Sequence, residues 1–118
     1  MSKHILAFTP DLMFASNIEA TLMRADHHVH VIDDFPSLER GLLHGGVDLV
    51  VLDLHAGAEA GAVVMLCQPM GVPVLAFGRH TEAALLRDAR EVGCAEVVAR
   101  STFVEEMPAL VDRNSAIR

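Results

Sequence analysis

Short, wholly apolar runs alternate along this chain with segments whose apolar residues recur every three or four positions. Ile5-Leu6-Ala7-Phe8 is the first run, and Pro10 follows it. From Leu12 the residues Ala15, Ile18, Leu22 and Ala25 keep helical spacing. Val29, Val31 and Ile32, interleaved with His28 and His30, predict a second strand. Pro36 suits the first turn of a short helix carrying Leu38, Leu42 and Leu43, closed by Gly45-Gly46. Leu49-Val50-Val51-Leu52, bounded by Asp48 and Asp53, is the clearest strand. A continuous apolar run of that kind is buried on both faces, as in a parallel sheet covered by helices.

The second half repeats the pattern. A loop with Gly57 and Gly61 leads to Val63, Val64 and Cys67, one face of a short helix. Pro73 to Phe77 reads as a fourth strand ending at Gly78. Thr81 or Glu82 opens a helix that runs to about Glu91, with Gly93 marking its end. Glu96 to Ala99 is a short fifth strand, and Phe103, Met107, Leu110 and Val111 face one side of a last helix. Five βα units in a row predict a parallel sheet with right-handed crossovers. The expected fold is a doubly wound α/β sandwich of flavodoxin-like strand order 2-1-3-4-5. Ligand chemistry in such folds gathers at the carboxyl ends of the strands. Here those ends carry Thr9, Pro10 and Asp11; Asp53, Leu54 and His55; Gly78, Arg79 and His80; and Arg100, Ser101 and Thr102.

With 118 residues the chain reads as one domain, 1–118. The formal charge of −7 argues against nucleic acid phosphates and anionic membrane surfaces as partners. No apolar run approaches the roughly 18 residues that a membrane span needs. Met1-Ser2-Lys3-His4 leads directly into an apolar run without a secretory pattern, so a cytoplasmic protein is expected. Cys67 and Cys94 lie far apart in apolar stretches and read as reduced, buried thiols.

The run Asp48-Leu49-Val50-Val51-Leu52-Asp53-Leu54 resembles the receiver domain of two-component response regulators, the CheY-like family. Val72-Pro73-Val74-Leu75-Ala76-Phe77 and Gly93-Cys94-Ala95-Glu96 extend the resemblance, which covers residues 3–113. It implies a domain that takes a phosphoryl group from a histidine kinase onto the aspartate ending strand 3, here Asp53. It further implies an acidic pair after strand 1 that holds Mg²⁺, a hydroxyl residue ending strand 4 and a lysine after strand 5. Metal and lysine neutralise charge on the transferred oxygens, which is most of the catalysis such transfer needs.

This chain departs from that set at several positions. Thr9-Pro10 stands where the acidic pair belongs, leaving Asp11 as one nearby carboxylate, so Asp11 and Asp53 make at most a weak Mg²⁺ site. Gly78 replaces the hydroxyl residue, and Arg100 replaces the lysine. Val97 stands where many receivers carry a switching aromatic. Arginine is a planar fork and lysine a point charge, so the exchange is not neutral. The expectation is an atypical receiver with weak or no Mg²⁺-dependent phosphorylation, no catalysis of its own and no required cofactor. Arg100 is expected to pair with Asp53 across the strand ends, the alternative being a solvated loop arginine. The implied partner is a signalling protein, a histidine kinase or an effector. The implied surface is helix 4, strand 5 and helix 5, including Ala84, Arg87, Arg90 and Val104, which also offers a route to a homodimer.

Two other readings stay open at this stage. One is a phosphorylatable receiver using Asp53 and Asp11. The other, of a different class, is a small module sensing an anion or metal through Asp53, His55, Arg79, His80 and Arg100. His28 and His30 share one strand face, but no further ligand at a recognisable spacing completes a metal site. Asp53-Leu54-His55 resembles part of a cobalamin-binding motif, yet it follows strand 3 where that motif follows strand 1.

Overall fold

A computed structural model describes residues 2–117. Its elements are β1 (His4–Phe8), α1 (Leu12–Arg24), β2 (His28–Ile32), α2 (Phe35–His44), β3 (Leu49–Asp53), α3 (Ala60–Cys67), β4 (Val74–Gly78), α4 (Ala83–Glu91), β5 (Glu96–Ala99) and α5 (Arg100–Asn114). The strands form one parallel sheet in the order β2-β1-β3-β4-β5, as the pattern of apolar runs predicts.

Alternation along β3 divides the core into two layers. Val50 and Leu52 face α2, α3 and α4, packing with Leu38, Leu42, Val63 and Leu86. Leu49 and Val51 face α1 and α5, packing with Ile18, Leu22, Phe103 and Leu110. All five residues of β3 are buried, which is why its sequence shows no polar alternation. Phe14, Phe77 and Phe103 form a cluster on the α1/α5 side, just beneath the carboxyl ends of the strands. The rings of Phe77 and Phe103 stack with centroids 4.6 Å apart, and Phe14 lies 5.1 Å from Phe77.

Local signals set the helix ends. The Asp11 and Asp34 side chains accept amide hydrogen bonds from Phe14 and Ser37, capping α1 and α2. Pro36 sits in the first turn of α2, and Gly45 beyond its end takes a φ of 89°, a conformation that a side chain would strain. Ala25, in register with the helical spacing, is the residue that closes α1. α3 is short and passes into a single 3₁₀ turn at Gln68–Met70.

The largest difference from expectation is at α5. Arg100, Ser101 and Thr102, expected at the carboxyl end of β5, form its first turn, so Arg100 opens a helix and the alternative of a solvated loop arginine does not hold. Pro108 lies inside this helix, and the backbone at Glu106 leaves helical values. A proline removes one ladder bond and crowds the preceding turn, which accounts for a kink at that point.

Phe77→Ala would remove the middle ring of the aromatic cluster. The expected cost is about 3–5 kcal/mol, read as a lower urea midpoint at unchanged slope. That is a large part of the roughly 5–15 kcal/mol that a domain of this kind has in total.

Candidate functional site

The parallel register brings four chain positions to one edge of the sheet. Phe8 pairs with Leu52, Asp53 with Phe77, and Gly78 with Ala99. Thr9, Asp53, Gly78 and Arg100 therefore follow or end neighbouring strands at the same level, as the sequence reading expects.

Asp53 is 2% exposed. A carboxylate taken out of water needs donors for its oxygens, and both have them. Thr9 donates its hydroxyl to Asp53 Oδ2 at 2.8 Å, and the His55 amide donates to Oδ1 at 2.9 Å. The Thr9 hydroxyl in turn accepts from the Asp11 amide at 3.3 Å, so the three residues form a short relay. Thr9 is itself buried, at the position where the resemblance would put an acid.

Arg100 does not pair with Asp53. Its Nη2 donates to Asp11 Oδ2 at 3.1 Å, and its guanidinium lies over the Phe14 ring, 4.0 Å from the centroid. The start of α5 at Arg100 explains the choice, because α1 and α5 cover the same sheet face and their first turns are neighbours. Phe14 then offers a flat surface to the planar cation. Asp11 uses its other oxygen, Oδ1, to accept from the Phe14 amide at 3.0 Å. That amide bond first, and then Arg100, hold the Asp11 carboxyl below its ordinary value of 3.8. All four oxygens of Asp11 and Asp53 thus accept hydrogen bonds from within the chain.

Gly78 is buried at the end of β4. A Cβ there would lie 3.2 Å from Leu86 Cδ2, 3.3 Å from Leu54 Cδ1 and 3.5 Å from His55 Nε2. The space of the missing side chain is therefore filled by its neighbours. His55 accepts from the Arg79 amide through Nε2 at 3.1 Å, tying the loop after β3 to the loop after β4. Pro10 is exposed and makes the turn between Thr9 and the α1 cap.

Of the five residues weighed as an anion cluster, Arg79, His80 and Arg100 line a cavity of about 390 Å³ with Thr81, Ser101 and Val104. His55 is tied to the Arg79 amide, and Asp53 to the His55 amide beside it. Among the described residues, no three histidine, cysteine, aspartate or glutamate side chains converge as a metal site. His28 and His30 do share one strand face, and Val29 and Val31 pack on the other. Burial pushes the Cys67 thiol up to about 12 and the Cys94 thiol up to about 11, so neither is poised as a nucleophile.

The sequence reading missed Phe14 as the support for Arg100 and Thr9 as the donor to Asp53. An aspartate immediately ahead of a helical run is a legible cap signal for Asp11. Nothing in the spacing shows that α5 would begin early enough to carry Arg100 toward it.

Asp11→Asn keeps a good helix cap and removes the charge that faces Arg100. Asp11 has a lowered pKa in the folded protein, so its contribution is full above the ordinary value of 3.8 and is lost as pH falls through and below it. The variant should be less stable than the parent at neutral pH, and the gap should close on acidification. Urea midpoints across that range test the sign, and a gap that widens at low pH would contradict the pairing.

No protein-family model and no curated protein sequence matches this chain. Solved structures do. NtrX from Brucella abortus, in complex with ADP, superposes with a TM-score of 0.83 at 16% identity, over 96% of this chain, which spans 26% of the length of that one. The chemotaxis protein CheY4 from Vibrio cholerae gives 0.80 at 17% identity, covering 97% of this chain and 99% of its own. The receiver domain of the sensor histidine kinase PA1611 from Pseudomonas aeruginosa, with magnesium in its active-site cleft, gives 0.81 at 15% identity, covering 96% and 97%. This chain has the fold of response-regulator receiver domains.

Proposed function

We propose that this protein is a receiver-like signalling module of the two-component type that acts through protein contacts, with little or no Mg²⁺-dependent phosphorylation of Asp53. The observation that carries this reading is the state of Asp53: buried, with one oxygen held by Thr9 and the other by the His55 amide. Attack on a phosphodonor needs an oxygen within about 3–3.5 Å of phosphorus and aligned with the leaving group. Asp53 is 2% exposed, so the groups around it have to move before a phosphodonor comes that close.

The carboxylates also fit Mg²⁺ poorly. The ion is octahedral and takes oxygen ligands at close range. Asp11 is engaged by Arg100 and the Phe14 amide, so a metal has to displace a guanidinium before Asp11 can ligate it. Arg100 is itself turned to Asp11 and Phe14, away from the role a lysine would take beside Asp53. Gly78 leaves no hydroxyl at the end of β4, and Val97 leaves no aromatic to swing on β5. Each departure removes one part of the phosphoryl-transfer set, and they support the same reading.

The contact face on this reading is α4, β5 and α5. Ala84, Arg87, Arg90 and Val104 are all exposed there, beside the exposed acids Asp88, Glu91, Glu105 and Glu106. A histidine kinase, an effector or a second copy of this chain would meet that face. The protein has no catalytic activity of its own on this reading.

The test is intact mass after incubation with a small phosphodonor and Mg²⁺, beside Asp53→Asn and a receiver that carries the full acidic, hydroxyl and lysine set. The expected result is no gain in this chain while the control receiver is modified. An acid-labile gain of one phosphoryl group, absent in Asp53→Asn, would establish a phosphorylatable receiver instead.

A further inference from the structure

A groove of about 470 Å³ runs between α3 and α4, on the sheet face opposite α1 and α5. Its floor is apolar. Leu54, Leu85, Ala89 and Val92 line it, with Ala60 and Gly61 from α3. A Cβ on Gly61 would lie 3.7 Å from Val92 Cγ1, an ordinary contact, so the chain's own packing does not require a glycine there. The two helices stand apart at this point, and Val92 is left 43% exposed.

The charge around this floor has one sign. Glu59 and Asp88 are in its wall, and no arginine, lysine or histidine is. Across the loop 57–59 a smaller concavity of about 360 Å³ shares Glu59 and adds Asp33 and Asp34, again with no basic residue. Asp34 is committed to the cap of α2. Asp33, Glu59 and Asp88 make no ion pair within 4.0 Å among the described residues. Glu59 stands at the N-cap position of α3 without making the side-chain bond that an aspartate or serine would supply. The arginines of α4 serve another side of that helix: Arg90 donates to the Val97 carbonyl of β5 at 3.2 Å, and Arg87 is outside the wall.

An apolar floor rimmed by uncompensated carboxylates is complementary to a surface that is apolar at its centre and basic at its edge. A metal ion is the wrong complement, since no three ligating side chains converge among the described residues. An apolar groove between two helices suits an amphipathic helix, whose apolar residues recur every three or four positions.

We infer that the α3–α4 groove docks a basic amphipathic helix of a partner protein, its apolar face on Leu85 and Val92 and its cations against Glu59 and Asp88. The inference takes up the reading of this chain as an interaction module, adds a second contact surface to it, and is independent of the state of Asp53.

The probe is a fluorescein-labelled amphipathic helix of leucine and lysine, followed by anisotropy at about 0.15 M salt, where charges beyond about 8 Å are screened. The expected result is saturable binding, with amide shifts in ¹⁵N-labelled protein gathered at residues 57–61 and 85–92. Glu59→Gln/Asp88→Asn should weaken binding about fivefold or more. The same change of charge in Glu105→Gln/Glu106→Gln should leave it unaltered. A peptide of equal composition in scrambled order should bind about tenfold more weakly or less. Absence of saturation, an equal loss in both double variants, or equal binding of the scrambled peptide would each overturn the groove. Shifts centred on β5 and α5 would overturn it too, while leaving the contact face proposed above in place.

Discussion

A carboxylate buried at the end of a central strand, with no cation against it among the described residues, is the constraint around which this site is arranged. Asp53 sits at the carboxyl edge of β3, and the two donors that satisfy it are a neighbouring hydroxyl and the amide two residues on. An acid at position 9 would bring two carboxylates together, and like charges at such range cannot both ionise without a cation between them. Threonine reverses that requirement, because it donates. Once Thr9 donates, Asp53 needs neither a metal nor a basic side chain. Arg100 is then free to bind Asp11, and the departures at positions 9 and 100 belong to one arrangement.

The aromatic cluster ties that arrangement to the core. Phe77 and Phe103 stack at 4.6 Å, Phe14 leans on both, and Arg100 rests on the outer face of Phe14. Phe77 is also the register partner of Asp53 on the adjoining strand. The side chains that fill the α1/α5 layer therefore hold the guanidinium above them, and the pair with Asp11 is set by packing as well as by charge. Exposed ion pairs alone contribute little, so the stack is what fixes Arg100 in place.

The fold was legible because its determinants are local. β3 reads as five buried residues since both faces are covered, and the caps at Asp11 and Asp34 precede their helices by one residue. Placement of Thr9, Asp53, Gly78 and Arg100 at one edge followed from strand order alone. The pairing of Arg100 was not legible, because two acids lie at that edge and the choice depends on where α5 starts. Sequence spacing places the first apolar residue of α5 at Phe103, whereas the helix begins at Arg100.

On the proposed reading, an Asp53 that is satisfied internally bears on how signals enter the module. A ligand shifts a conformational equilibrium only by its differential affinity for the two states. On the same reading, Thr9 holding Asp53 and Leu54 and Leu86 packing over Gly78 keep the strand ends in one arrangement. On the proposed reading, the module presents one α4-β5-α5 face throughout, and its output is set by partner supply and affinity.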